Sequence, residues 1–508
     1  MIKKNDILTG TVQSFGSDGE GVLRMEDYVF FVPYALPGEK ISFRVLKIQG
    51  KIGYGKVEEI FVSSPDRVSP VCPVFHTCGG CGLQHMNYAL QTEYKREKVK
   101  NALLKIGGVE AEVSPVVPCA SPYGYRNKLQ LPVSVDGNGN TVLGFYAERS
   151  HRIVPIDRCY IHPEWSAKLI AVFKEYLACS EAKGYDERAK KGLIRHLVAR
   201  EIDGKYLVTI VATEKNLPEK ELLIEKLQTA FPGCSTFVNV NKSDSNVIFG
   251  DRFYSLCGAE HIEGETDGIA YEAGAETFVQ VNPEIREKLY ERAMEACFAG
   301  GAEVVIDAYS GGGLMTAMAA RRAKRAYGIE LNAEASACAE SLKKKNNLAN
   351  MTNVCGDAAA ELPRIMAEEN GEKTVLILDP PRAGVARSVL YAILKSKIER
   401  FVMISCDPAT LARDLGILTG TLVEKDGVLI KNTAGARDNR ENNYFRIESV
   451  EPFDMFPQTK HVETLVVLSH KKPDSHLEVK IDFDNTSLDK MAISERAEKK
   501  KTAGKDDI

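Results

Sequence analysis

The chain has 508 residues, 44% of them hydrophobic and 27% charged, with a net charge of −4. That length exceeds one ordinary core and predicts two to four domains of a soluble globular protein. The charge excludes a protein that binds nucleic acid through a bulk positive field. No stretch reaches the ~18 apolar residues of a membrane helix, and none follows the charged N-terminus as a secretory leader would, so a cytoplasmic protein without a membrane partner is expected.

Residues 1–62 contain ILTGTVQSF, YVFFVPYAL, PGEKISFRVLKI and YGKVEEIF, broken by glycine turns such as GSDGEG. Five short strands punctuated in this way predict a small closed β-barrel. Residues 1–60 hold eight Lys/Arg against eight Asp/Glu, so any polyanion contact there depends on local arrangement. After a linker, SSPDRVSPVCP, Cys72, Cys78 and Cys81 fall in CPVFHTCGGCGLQH as C-x5-C-x2-C. In a reducing compartment three thiols this close imply a metal site with a fourth ligand elsewhere. Spacing leaves zinc and an iron–sulfur cluster both open, and His76 or His85 could complete a zinc site. The other nine of the twelve cysteines are scattered, and most are expected to be small buried hydrophobes. MNYALQTEYKREKVKNALLKIGG has helical spacing and a glycine pair as its stop.

From about 113 to 262 the pattern is mixed, with strands KLQLPVSV, VLGFY and YLVTIVAT and a helix around SAKLIAVFKEYLA. From about 265 it becomes regular α/β, with VVIDAY, RAYGIEL, TVLILD, RFVMISC and TLVVLSH as short strands between helical segments. The expected division is 1–62 for the barrel, 63–264 for the cysteine-bearing central α+β region, 265–470 for a Rossmann-like α/β domain, and 471–508 for a polar, disordered tail.

Three motifs in the α/β region point to chemistry. In VVIDAYSGGGLMTAMAA a strand runs into Gly311, Gly312 and Gly313 before a helix, which permits close backbone approach to a ligand. The next strand ends in Glu330, where an acid can grip a ribose diol; this fits nicotinamide cofactors as well as S-adenosylmethionine. In LILDPPRAG, Asp379 ends a strand before a rigid turn, at the sheet edge where open α/β folds bind ligands. In MISCDPATLARD, Cys406 stands at a strand end before a helix whose N-terminus is expected to lower the thiol pKa, so a nucleophile and an inert buried thiol are both open.

With SCDPATLARD, DPPRAG, FVQVN at 278–282 and FPQTKHVETLVVL at 456–468, the chain resembles the RNA uracil-5-methyltransferase family over nearly its whole length to about residue 470. Residues 1–62 resemble the TRAM domain, a small RNA-binding barrel. The resemblance implies Cys406 as nucleophile toward carbon 6 of uracil and Glu463 as the base that removes the carbon-5 proton. His461 is a rival base by its ordinary pKa. It also implies that S-adenosylmethionine is held by Gln280, Tyr309, Glu330 and Asp379. Ser310 and Leu314 depart from the residues many members carry, which bears on loop contacts only. Members with the cysteine cluster bind a 4Fe-4S cluster, which makes Cys159, in IVPIDRCYIHP, the fourth ligand with Cys72, Cys78 and Cys81, in preference to Cys119.

Chemistry at carbons 5 and 6 requires an unstacked base, so the implied partner is RNA presenting a single-stranded or flipped uridine. TRAM-like and cysteine segments together resemble the branch acting on 23S ribosomal RNA, with transfer RNA or a non-catalytic iron–sulfur RNA-binding role as alternatives. Phe30, Phe31, Tyr34, Arg126 and Lys128 are candidate RNA contacts, and a monomer is expected.

Overall fold

The apolar runs of the C-terminal half form a seven-stranded sheet in the order Met351–Cys355, Arg325–Glu330, Val304–Ala308, Thr374–Leu378, Arg400–Ser405, Glu463–His470, Phe445–Phe453. The computed structural model describes residues 2–369, 373–432 and 444–470; the predicted tail 471–508 lies outside the described residues. The first five strands are parallel and the last two antiparallel. Helices cover both faces, so Val304–Ala308 is buried at every position and is apolar except at Asp307. The chain leaves Val304–Ala308 in one direction for two strands and returns on the other side with Thr374–Leu378. Strand order reverses there, and the reversal opens a crevice at the carboxyl ends.

Residues 7–62 form a six-stranded sheet in the order Ile7–Thr11, Lys40–Gln49, Ile52–Val62, Tyr28–Val32, Gly21–Met25, Ser14–Phe15. Five strands were expected; six form, because ILTGTVQSF divides into Ile7–Thr11 and Ser14–Phe15, and Gly21–Met25 joins the runs named from sequence. Phe30, Val32, Ile41 and Phe43 are fully buried in its core. Gly53 and Gly55 leave room for them, since an added Cβ would lie 2.2 Å from Phe30 and 2.5 Å from Phe43. Phe30 is therefore a packing residue, and its candidacy as an RNA contact is corrected. Phe31 instead stacks on Tyr54 at a centroid distance of 6.1 Å.

A second seven-stranded sheet runs Arg252–Cys257, Ser235–Val240, Lys205–Ala212, Ile194–Ile202, Lys128–Val135, Thr141–Tyr146, Ile153–Pro155. Helices Glu164–Cys179 and Lys220–Ala230 share a buried core with it. Among the described residues no helix is long and apolar enough to cross a membrane.

The helix Tyr88–Ala102 connects these parts to the site. Asn87 caps it by accepting from Leu90 N at 2.8 Å, and Gly108, at φ 65°, ends the short extension Leu103–Gly107, as the glycine pair predicted. Its Lys95 forms a fully buried ion pair with Asp454 and donates to Phe456 O at 3.0 Å. One turn back, Gln91 donates to Gln458 Oε1 at 3.0 Å and accepts from Gln458 N at 3.1 Å. Lys98 donates to Lys460 O at 2.9 Å. The segment leading into Glu463 is thus held from a helix more than 350 residues earlier in the chain, as the 359-residue separation of Lys95 and Asp454 shows.

Candidate active site and cysteine-lined cavity

The crevice at the strand reversal is lined by Gln280, Tyr309, Gly311, Gly312 and Asp379, along with Arg286 and Tyr290. Tyr309 takes φ 85°, and the amides of Tyr309 and Ser310 both donate to Ile329 O at 3.0 Å, which turns the loop sharply off its strand. At Gly313 an added Cβ would sit 2.7 Å from Ala339 Cβ, so only glycine lets the helix Leu314–Ala320 approach Ala333–Lys345. Glu330 borders the loop, its carboxylate accepting from Gly311 N at 2.9 Å and Asn332 N at 2.7 Å. Behind it Asp307 is fully buried and accepts from the Thr316 hydroxyl at 2.7 Å, and burial, with Asp379 nearby, pushes its carboxyl up to about 7. Asp379 itself is pushed by burial to about 6. An acid-rich, partly neutralised cleft of this kind favours a cationic ligand such as a sulfonium.

The antiparallel ladder explains how Cys406 meets Glu463. Ser405 pairs with Thr464 as the last pair of the ladder, so Cys406 and Glu463 flank that pair at the same end of the sheet, close enough for the Glu463 charge to act on Cys406. The helix Pro408–Thr419 starts directly after Cys406, with Asp407 as its cap accepting from Ala409 N at 2.8 Å and Thr410 N at 3.0 Å. Asp414 on that helix accepts from Val385 N at 2.8 Å, while Arg413 donates to Ala383 O at 3.0 Å. These bonds tie the turn after Asp379, including Arg382, to the helix that follows Cys406.

Electrostatics correct one expectation. Burial, then the charges of Glu463 and Asp379, push the Cys406 thiol up to about 11, against an opposing pull from Arg382. The helix N-terminus was expected to lower it, but two carboxyl groups and burial outweigh that. Burial and Asp379 likewise raise Glu463 to about 8, whereas burial and Arg382 depress His461 to about 4. Of the two rival bases, these shifts make the Glu463 carboxylate the stronger and the His461 imidazole the weaker.

A second cavity lies between the cysteine segment and the residues Arg382, Phe456 and His461. Cys72, Cys78, Cys81 and Cys159 all line it, and the cysteines Cys72, Cys78 and Cys81 each help raise the Cys159 thiol, which burial takes to about 12. Arg126, Lys128, Arg158 and Arg382 line it too, with no Asp or Glu among the described lining residues. The other candidates fall outside it. Cys119 is buried and donates to Glu284 at 3.2 Å, and His85 is buried against Tyr34 and Phe75 with both ring nitrogens unpartnered. Among the described residues no three His, Cys, Asp or Glu side chains are drawn together at metal-binding distance. Of the candidate RNA contacts, Arg126 and Lys128 reach this cavity; Tyr34 packs edge-on against His76 and Phe75.

Sequence reasoning did not pick out Arg286, Tyr290 and Asp307 as site residues. Arg286 and Tyr290 are spaced i, i+4 on the helix Pro283–Phe298 that follows FVQVN, a signal that one helical turn after the motif faces the same cleft.

A mainly parallel sheet with this reversal, glycine loop and strand-end acids forms a nucleotide-type site that accommodates S-adenosylmethionine, and the likenesses of the chain make it an S-adenosylmethionine-dependent methyltransferase. A family model described as tRNA (Uracil-5-)-methyltransferase matches residues 258–429. An uncharacterized RNA methyltransferase of Halalkalibacterium halodurans is 39% identical over 474 residues, covering 92% of this chain and 98% of its own. One from Listeria innocua is 37% identical, covering 93% and 99%. The crystal structure of the Pyrococcus abyssi tRNA (uracil-54, C5)-methyltransferase with S-adenosyl-L-homocysteine superposes with a TM-score of 0.68 at 28% identity, covering 91% of this chain and all of that one. The chain belongs to the RNA uracil-5-methyltransferase family.

Proposed function

We propose that the protein methylates carbon 5 of a specific uridine in 23S ribosomal RNA, with Cys406 as covalent nucleophile and Glu463 as base. The observation that carries this is that Cys406 and Glu463 flank the last pair of one strand ladder, Ser405–Thr464, with their charges coupled to each other and to Asp379 of the crevice. The Sγ thiolate adds to carbon 6, and the π electrons of the C5–C6 bond make carbon 5 nucleophilic. Carbon 5 takes the methyl group as the methyl–sulfonium bond breaks, leaving neutral S-adenosylhomocysteine. The Glu463 carboxylate removes the carbon-5 proton, the C5–C6 double bond re-forms and Sγ leaves as thiolate. Arg382, whose charge acts on Cys406, Glu463 and His461 alike, favours the anionic form of both reacting groups.

In this reading Gln280, Tyr309, Glu330 and Asp379 hold S-adenosylmethionine. Residues 1–62 act as a TRAM-like RNA-binding unit, 63–264 as the central RNA-binding region and 265–470 as the methyltransferase domain of a cytoplasmic monomer. Cys72, Cys78, Cys81 and Cys159 hold a 4Fe-4S cluster, whose contribution is to brace this region. Four thiols sharing one cavity with four cations and no carboxylate support that, because the cations offset thiolate charge. Anaerobically purified protein is expected to contain about four irons and four sulfides per chain, and Cys159→Ser to lose most of them; zinc in their place would remove the cluster.

Mass mapping of 5-methyluridine in a strain lacking the chain tests the target. One or more 23S positions are expected to lose the modification and to regain it on complementation. The likeness to a tRNA (uracil-54, C5)-methyltransferase favours transfer RNA as the second reading, and loss confined to tRNA would establish it instead.

A further inference from the structure

Arg286 carries a feature the proposed reaction has not used. It lies in the first turns of the helix Pro283–Phe298, its side chain is 4% exposed, and it lines the cofactor crevice with Gln280, Tyr290 and Asp379. Among the described lining residues it is the one Lys or Arg, while Glu272 and Asp379 are acidic. Nη1 donates to the Tyr271 hydroxyl at 3.1 Å, and the guanidinium lies 5.8 Å from the Tyr271 ring centroid. Its nearest carboxylate, Glu287 Oε1, is 3.6 Å from Nη2 on a largely exposed side chain. Nε is buried and has no hydrogen-bond partner.

A desolvated guanidinium with an unpaired N–H is costly unless an anion meets it. S-adenosylmethionine brings one anionic group, the α-carboxylate of its methionine arm. Adenosine, ammonium and sulfonium are neutral or cationic, and the acids Glu272 and Asp379 suit the cationic groups. We infer that Arg286 is the receptor for that α-carboxylate, anchoring the methionine arm at the end of the crevice shared with Gln280 and Tyr271. This rests on S-adenosylmethionine as co-substrate and is independent of which RNA is methylated.

Calorimetric titration of the purified full chain with two ligands tests it. One is S-adenosylhomocysteine; the other is its decarboxylated analogue, S-adenosyl-3-thiopropylamine, which keeps the ammonium and loses the carboxylate. Wild-type protein is expected to prefer S-adenosylhomocysteine by about 10- to 100-fold, as for a charge-assisted contact. Arg286→Met should remove most of that preference while leaving affinity for the analogue within about threefold, and Arg286→Lys should keep part of it. Equal affinity of wild type for the two ligands, or an equal loss for both in Arg286→Met, overturns the assignment. The wild-type comparison needs no variant to fold. Failure of wild type to bind S-adenosylhomocysteine at all would instead strike the co-substrate reading, and this inference with it.

Discussion

Cys406→Ala is expected to reduce uridine methylation by about four orders of magnitude or more, as loss of a covalent nucleophile does. Carbon 5 of uracil is too poor a nucleophile to displace a methyl group from sulfur unaided, so no partial pathway remains when Sγ is gone. The structure sharpens the test. With its thiol pushed to about 11, Cys406 in the free protein is almost wholly protonated at neutral pH, so general thiol reactivity is a poor measure of its role. Incubation with S-adenosylmethionine and RNA carrying 5-fluorouridine is a better one. Fluorine replaces the removable proton, so addition and methyl transfer proceed while elimination cannot. Wild-type protein should accumulate a denaturation-resistant protein–RNA band, and Cys406→Ala should give none. An equally strong band from Cys406→Ala would assign the nucleophile to another residue.

Most of the site was legible because strand ends are where composition and chemistry coincide. Asp379 and Cys406 each follow an apolar run, and the two parallel strands that lead into them are central and buried, hence unmistakable. The strands that sequence reading passed over, Met351–Cys355 and Phe445–Phe453, lie at the two edges of the same sheet, where one side is open and polar residues interrupt the pattern, as Arg446, Glu448 and Glu451 do. Register was also out of reach: that Ser405 pairs with Thr464, which brings Glu463 to the same end of the sheet as Cys406, depends on an antiparallel return that no local pattern announces. Burial decided the remaining differences. Phe30 looked like a surface aromatic and is core, and the Cys406 thiol looked activated and is raised, because desolvation depends on neighbours distant in the chain.

Glu463→Gln should separate the two halves of the reaction and reverse their cost. An amide cannot take the carbon-5 proton, so the variant is expected to add to ordinary uridine, transfer the methyl group and then stall, giving a covalent complex without fluorine at a turnover reduced by about 10²- to 10⁴-fold. Its stability should move the other way. The Glu463 carboxyl is raised from 4.5 to about 8 by burial and by Asp379, so the native state holds a proton that the unfolded chain releases. Such a group contributes stability that is fully present below the unfolded pKa and is lost as pH rises through the folded one. Gln, which never ionises, escapes that loss. At pH 8.5 Glu463→Gln is therefore expected to be more stable than wild type by about 2–4 kcal/mol, a margin that shrinks toward zero near pH 4.5. Urea unfolding of both proteins at several pH values measures it. A margin independent of pH would mean that the stabilisation comes from packing, and that Glu463 does not have the raised pKa that makes its carboxylate basic enough to take the carbon-5 proton.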